Sequence, residues 1–133
     1  MVITKFHIQI SKENVCRLIH ADPGSSLYEE IMAELAEMLP LAYEKIKPAA
    51  LLEFGAFDEY FRMVEETGIV EALYGINTVG DEIGKWSTAL FQEGNYLAGM
   101  LADAMADDYL FQMDEAIKDT VIQLCKERKR GIV

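Results

Sequence analysis

The stretch GNYLAGMLADAMADDYLFQMDEAIKDTVIQLC, Gly94 to Cys125, decides how this chain is read. No proline interrupts it, and apolar residues recur at helical intervals, so it predicts one long helix from near Asn95 towards Arg128. Counting about 100° per residue from Leu97, the residues Leu97, Leu101, Ala104 and Phe111 gather around one direction. Ala106, Leu110, Met113, Ile117 and Leu124 gather around the opposite one. Met105 and Tyr109 close one flank, and Asp103, Asp107 and Asp114 share the other, spread over about 40°. A helix apolar on most of its circumference is a buried helix. The expectation is a rod packed on two sides with an acidic seam at its rim. Its closing Lys126, Arg128, Lys129 and Arg130 suit the negative end of the helix dipole.

The residues before it supply the rest of a small domain. Ile69 to Asn77 reads as a strand, and Thr78-Val79-Gly80-Asp81 as a strand-to-helix turn with Thr78 or Asp81 as the cap. A helix then runs to about Glu93 and stops at Gly94, a residue suited to the left-handed position after a helix. Ala49-Ala50-Leu51-Leu52-Glu53-Phe54 is short, apolar and bounded by Pro48 and Gly55, which predicts a buried strand. The segment 57–66 fits a helix through Phe57, Phe61 and Val64, or a strand through Tyr60 to Val64.

Leu27, Ile31, Leu35, Met38, Ala42 and Ile46 mark an amphipathic helix. Ser26 to Glu29 has capping-box spacing at its start, and Pro40 predicts a kink or break. Val2, Thr4, Phe6, Ile8 and Ile10 alternate with Ile3, Lys5, His7 and Gln9, the period of a half-buried strand. Ser11 caps a short helix from Glu13 to Ile19, with His20 near its C-terminus.

Size and charge bound the function. The chain has 133 residues, 51% of them hydrophobic, enough for one domain with a core. A net charge of −11 opposes binding to nucleic-acid phosphates and to anionic membrane surfaces. The alternating N-terminus is unlike a signal peptide, and Cys16 and Cys125 stand apart, as in a reduced cytoplasmic protein. The fold class expected is α+β, mostly helical, with a small, mainly antiparallel sheet and a long buried C-terminal helix.

Catalytic chemistry is not visible. There is no placeable Ser-His-Asp set, no glycine-rich phosphate loop and no histidine cluster. Glu65-Glu66 reads as turn chemistry, and Trp86 as core. Asp103-x-x-x-Asp107 has the spacing at which two carboxylates converge on a metal. Neither His7 nor His20 lies near enough in sequence to complete such a site, so no metal is expected. A solvated ridge is the plain reading of these aspartates. In an intermediate one, Asp103 accepts hydrogen bonds from backbone donors of a neighbouring loop.

Ile76-Asn77-Thr78-Val79-Gly80-Asp81, Tyr96-Leu97 and Leu101-Ala102-Asp103-Ala104, in that order, resemble the reactivation (S-adenosylmethionine-binding) domain of cobalamin-dependent methionine synthase and its stand-alone relatives. Ile46-Lys47-Pro48-Ala49-Ala50 resembles the approach to that family's first buried strand, with Ala49 where an arginine often stands. The resemblance covers about residues 44 to 125. It implies a single domain over 1–133 forming the N-terminal part of a larger activation-type domain. It also implies a cytoplasmic accessory role in S-adenosylmethionine- and cobalamin-linked reactivation of a corrinoid protein.

The family's ligand motif Arg-x-x-x-Gly-Tyr does not occur up to Val133, so its residues are not carried over. Thr78 and Asp103 are then the candidate cofactor-binding residues, with no cofactor bound by this chain alone. The partner implied is a corrinoid-binding protein or a downstream domain. The residues by themselves allow, as the alternative, a structural or interaction domain that dimerises through its long helix. In both readings the helix's second apolar side waits for residues after 133 or for another copy.

Overall fold

The computed structural model describes residues 1–56 and 71–128. The ambiguous segment 57–66 lies outside the described residues, as do Ile69 and Val70 of the expected strand. In chain order the elements are β1 (Val2–Ile3), α1 (Lys12–Leu18), α2 (Tyr28–Lys45), β2 (Ala49–Ala56), β3 (Glu71–Thr78), α3 (Glu82–Gln92) and α4 (Tyr96–Glu127). The strands form one antiparallel sheet in the order β1-β2-β3, with Val2 opposite Leu51 and Leu51 opposite Ile76. The fold is therefore α+β and mainly helical, with a small antiparallel sheet and a long C-terminal helix.

The expected strand over residues 2–10 shrinks to Val2–Ile3. Beyond it the backbone is held by side chains instead of a neighbouring strand. The Ile10 N–H donates to the Tyr43 hydroxyl at 2.7 Å, and the Gln9 carbonyl accepts from Gln112 Nε2 at 2.7 Å. Alternation still sends Phe6, Ile8 and Ile10 inward. Val2 is exposed and Ile3 turns towards the core, so the phase slips between Ile3 and Phe6.

Ser11 caps α1 as expected, its Oγ accepting from the Asn14 N–H at 3.2 Å. Ser26 does not cap α2: Leu27 stands at the cap position without a side-chain bond. A turn makes the approach instead, with Asp22 accepting from the Gly24 N–H and Ser25 Oγ from the Leu27 N–H. The break expected at Pro40 is absent, and α2 continues to Lys45. Pro40 and Ala36 are both exposed, so the carbonyl left without its helical donor lies on the solvent side.

At the end of β3, Gly80 adopts φ +80°, and a Cβ there would lie 3.0 Å from Lys47 Cβ. Only glycine takes up this geometry without strain. Thr78 Oγ1 accepts from the Gly80 N–H at 3.0 Å, bracing the turn. Asp81 is the N-cap residue of α3, but its carboxylate pairs with Lys85 at 2.9 Å instead of with the helix backbone. Gly94, at φ +81°, ends α3, and Asn95 Oδ1 caps α4 by accepting from the Ala98 N–H. The two helices then meet through small residues. Ser87 Oγ donates to the Gly99 carbonyl at 3.1 Å, and a Cβ on Gly99 would come within 2.8 Å of the Phe91 ring.

α4 is the axis of the domain, packed by α1, α2, α3 and β3. Its two expected apolar faces merge into one. Ala98, Leu101, Ala102, Ala104, Met105, Tyr109 and Met113 are buried. At about 100° per residue they belong to an arc of about 220° from Ala104 round to Gly99, with Met105 at its centre. The flank assigned to Met105 and Tyr109 is thus the middle of the buried side. Leu101 and Ala104 of the first expected face are covered, whereas Leu97 and Phe111 are exposed. Over this arc the covering comes from this chain's own elements, and Ala106, Leu110 and Ile117 of the second expected face are partly buried against the same core. Met38, Leu35, Ile83 and Val15 complete the core around this arc.

Candidate functional site

One polar side chain enters the buried arc of α4. Asp108, 2% exposed, falls on the same side as Leu101 and Met105. A carboxylate in such surroundings requires donors, and α1 with its approach supplies them. Asp108 Oδ2 accepts from the Ser11 N–H at 2.8 Å and from Gln112 Nε2 at 2.8 Å. Its Oδ1 accepts from Asn14 Nδ2 at 3.1 Å. Gln112 also reaches the Gln9 carbonyl, so two residues one turn apart on α4 hold the chain from Gln9 to Asn14.

The backbone-accepting aspartate is therefore Asp108 and not Asp103, for which the intermediate reading of the sequence allowed that role. A signal for it exists in the sequence. Asp108 follows Leu101 by seven residues and precedes Gln112 by four, which places a carboxylate inside the apolar arc beside an amide.

Asp103 and Asp107 are exposed on the outward side of α4, as the seam reading expected. Among the described residues no cation pairs with either. Though exposed, Asp107 is partly desolvated by its neighbours, and this, and then the Asp103 charge, push its carboxyl above its ordinary value. Asp114 departs from the ridge, since its Oδ1 accepts from Asn77 Nδ2 on β3.

The two candidate cofactor-binding residues do not meet. Thr78 is engaged in the Gly80 turn, while Asp103 has no bonded partner among the described residues. Asp103 lies eleven residues, about 16 Å of helix, from Asp114, which is bonded to the neighbour of Thr78.

Beside the Asp108 network a cleft of about 330 Å³ opens between α1 and α4. Asn14, Asp108 and Gln112 form its polar floor, Leu18 and Phe111 its apolar walls, and Arg17 and Glu115 its charged rim. Leu18 is 39% and Phe111 57% exposed, so its walls are open to a partner.

Asp108 has its oxygens filled by three donors and clamps the approach to α1 and its first turn against α4. Cys16 is buried, its thiol pushed up by burial, and its Sγ lies 3.4 Å from Met32 Sδ. A thiol held protonated is a poor nucleophile. His7 and His20 are exposed. Among the described residues no group of three His, Cys, Asp or Glu side chains converges as metal ligands would. Among them, too, no helix is long and apolar enough to cross a membrane. The chain matches no protein-family model and no curated protein.

Proposed function

We propose that this chain is a cytoplasmic accessory module of corrinoid chemistry, working with a corrinoid-binding protein in its S-adenosylmethionine- and cobalamin-linked reactivation. One observation supports the reading. Two of the segments that carry the resemblance, Ile46 to Ala50 and Ile76 to Asp81, are far apart in sequence and adjacent in the fold. Ala49 pairs with Thr78 and Ala50 with Asn77. The Lys47 N–H donates to the Val79 carbonyl at 2.8 Å, and Gly80 lies against Lys47. The motif residues thus form one structural unit, a strand pair whose turn feeds α3 and then α4.

Titrating the chain with a cobalamin-loaded corrinoid protein tests the reading. Saturable binding with a change in the visible cobalamin spectrum is expected. Absence of binding, with and without S-adenosylmethionine present, overturns it.

A second reading, an interaction domain that uses α4 as its contact surface, is favoured by the outward exposure of Leu97, Met100 and Phe111. Sedimentation of the wild-type chain and of a Phe111→Ser variant tests its self-associating form. That form requires a dimer that the substitution dissolves.

A further inference from the structure

At the edge of the buried arc of α4 and just beyond it, Leu97, Met100 and Phe111 are 38%, 43% and 57% exposed. At about 100° per residue they lie within about 60° of one another. Leu97 and Phe111 are two heptads apart, with Ala104 between them already buried by the chain's own elements, and Met100 and Asp107 are seven apart. This is the spacing of a seam that receives a second helix. Asp103 and Asp107 run along one edge of these apolar residues, about 20–60° beyond Met100 on the side away from Leu97. At the Phe111 end the seam runs into the cleft of about 330 Å³ whose other apolar wall is Leu18.

We infer that this seam docks a helix of another protein, amphipathic and cationic. Its apolar residues lie on Leu97, Met100 and Phe111, one of them entering the cleft beside Leu18. Its lysines or arginines pair with Asp103 and Asp107.

Charge selects this occupant. The two carboxylates stand one turn apart with no cation of the described residues upon them, and a cationic helix supplies what they lack. A second copy does the reverse. Laid antiparallel along the seam, it sets the aspartate edges of the two copies against each other, between two chains each carrying −11. Like charges so placed oppose association. The inference rests on α4 being a contact surface and is independent of the corrinoid reading.

The probe is a labelled peptide of about three heptads, with leucine along one face and lysine beside it. Two comparison peptides accompany it. One has glutamate for lysine; the other has the same composition in scrambled order. Fluorescence anisotropy is expected to show saturable, salt-sensitive binding of the lysine peptide, at least about tenfold tighter than either comparison peptide. Phe111→Ser, and separately the pair Asp103→Asn with Asp107→Asn, each weaken it about tenfold or more, while Ile76→Ser on the sheet leaves it unchanged.

Equal binding of the scrambled peptide overturns the inference, since it marks attraction to an acidic chain in general. Equal loss with Ile76→Ser does so too. A wild-type dimer in sedimentation that Phe111→Ser dissolves overturns it in favour of a second copy. No corrinoid is involved, so failure here leaves the reactivation reading to its own test.

Discussion

Replacing Asp108 by alanine removes an acceptor shared by three donors. Ser11 N–H, Asn14 Nδ2 and Gln112 Nε2 lie 2.8, 3.1 and 2.8 Å from its oxygens. With Asp108 only 2% exposed, solvent substitutes poorly for the lost carboxylate. Each donor left unpaired in this part-buried site costs up to about 1–3 kcal/mol. Gln112 keeps its bond to the Gln9 carbonyl, so Ser11 and Asn14 bear most of the loss. Removing a desolvated charge returns part of it. The expected destabilisation is about 2–4 kcal/mol.

Asparagine at the same position retains one acceptor for the Ser11 N–H but turns an amide NH₂ towards a donor. Asn14 relieves that clash by turning over its own amide, which gives up only the long exposed bond from Arg17 at 3.4 Å. Asp108→Asn is therefore expected to cost less, about 1–2 kcal/mol. Urea unfolding followed by Trp86 fluorescence and far-ultraviolet circular dichroism measures both variants, with an unchanged slope expected. Hydrogen exchange at the Ser11 amide reports the clamp directly. An Asp108→Ala variant within about 0.5 kcal/mol of wild type, together with an unprotected Ser11 amide in the wild type, refutes the reasoning.

Three further outcomes are expected. Met105→Ala, at the centre of the buried arc, costs about 2–5 kcal/mol, whereas Phe111→Ala, on the open side, costs less than about 1 kcal/mol; equal denaturation midpoints would show the phase of α4 to be wrong. Gly80→Ala costs about 1–3 kcal/mol through its positive φ and its contact with Lys47, read as a fall in melting temperature. Asp107 has a folded-state carboxyl raised by partial desolvation and by Asp103, so its contribution to stability is present at acid pH and lost as pH rises through that raised value. Asp107→Asn should accordingly raise the melting temperature at neutral pH and change it little at pH well below the carboxylate range. A fall at neutral pH would contradict the assignment.

The elements legible in the sequence are those whose signals are local. Gly94 and Asn95 end one helix and begin the next because a left-handed residue and a side-chain acceptor do their work within a few positions. The short apolar run that follows Pro48 in β2 and the Thr78 to Asp81 turn are of the same kind. The segment 4–10 shows where this stops. Its alternation is real and its inward residues pack, yet it is no strand, because its backbone partners are Tyr43 and Gln112 and not another strand. Pro40 likewise predicts a break on local grounds, and its position on the exposed side of α2 lets the helix pass.

The candidate site divides in the same way. Spacing alone placed Asp103 and Asp107 on an outward ridge, since helical phase is a property of the chain. The role of Asp108 was decided by the tertiary structure, which brings Ser11 and Asn14, more than ninety positions earlier, against α4. So was the choice of Met105, and not either flanking face, as the centre of burial. Periodicity records how much of a helix is apolar, but every apolar side chain has the same non-directional tendency to leave water. Which of them succeed depends on where the neighbouring layers lie, and that is fixed only when the whole chain has packed.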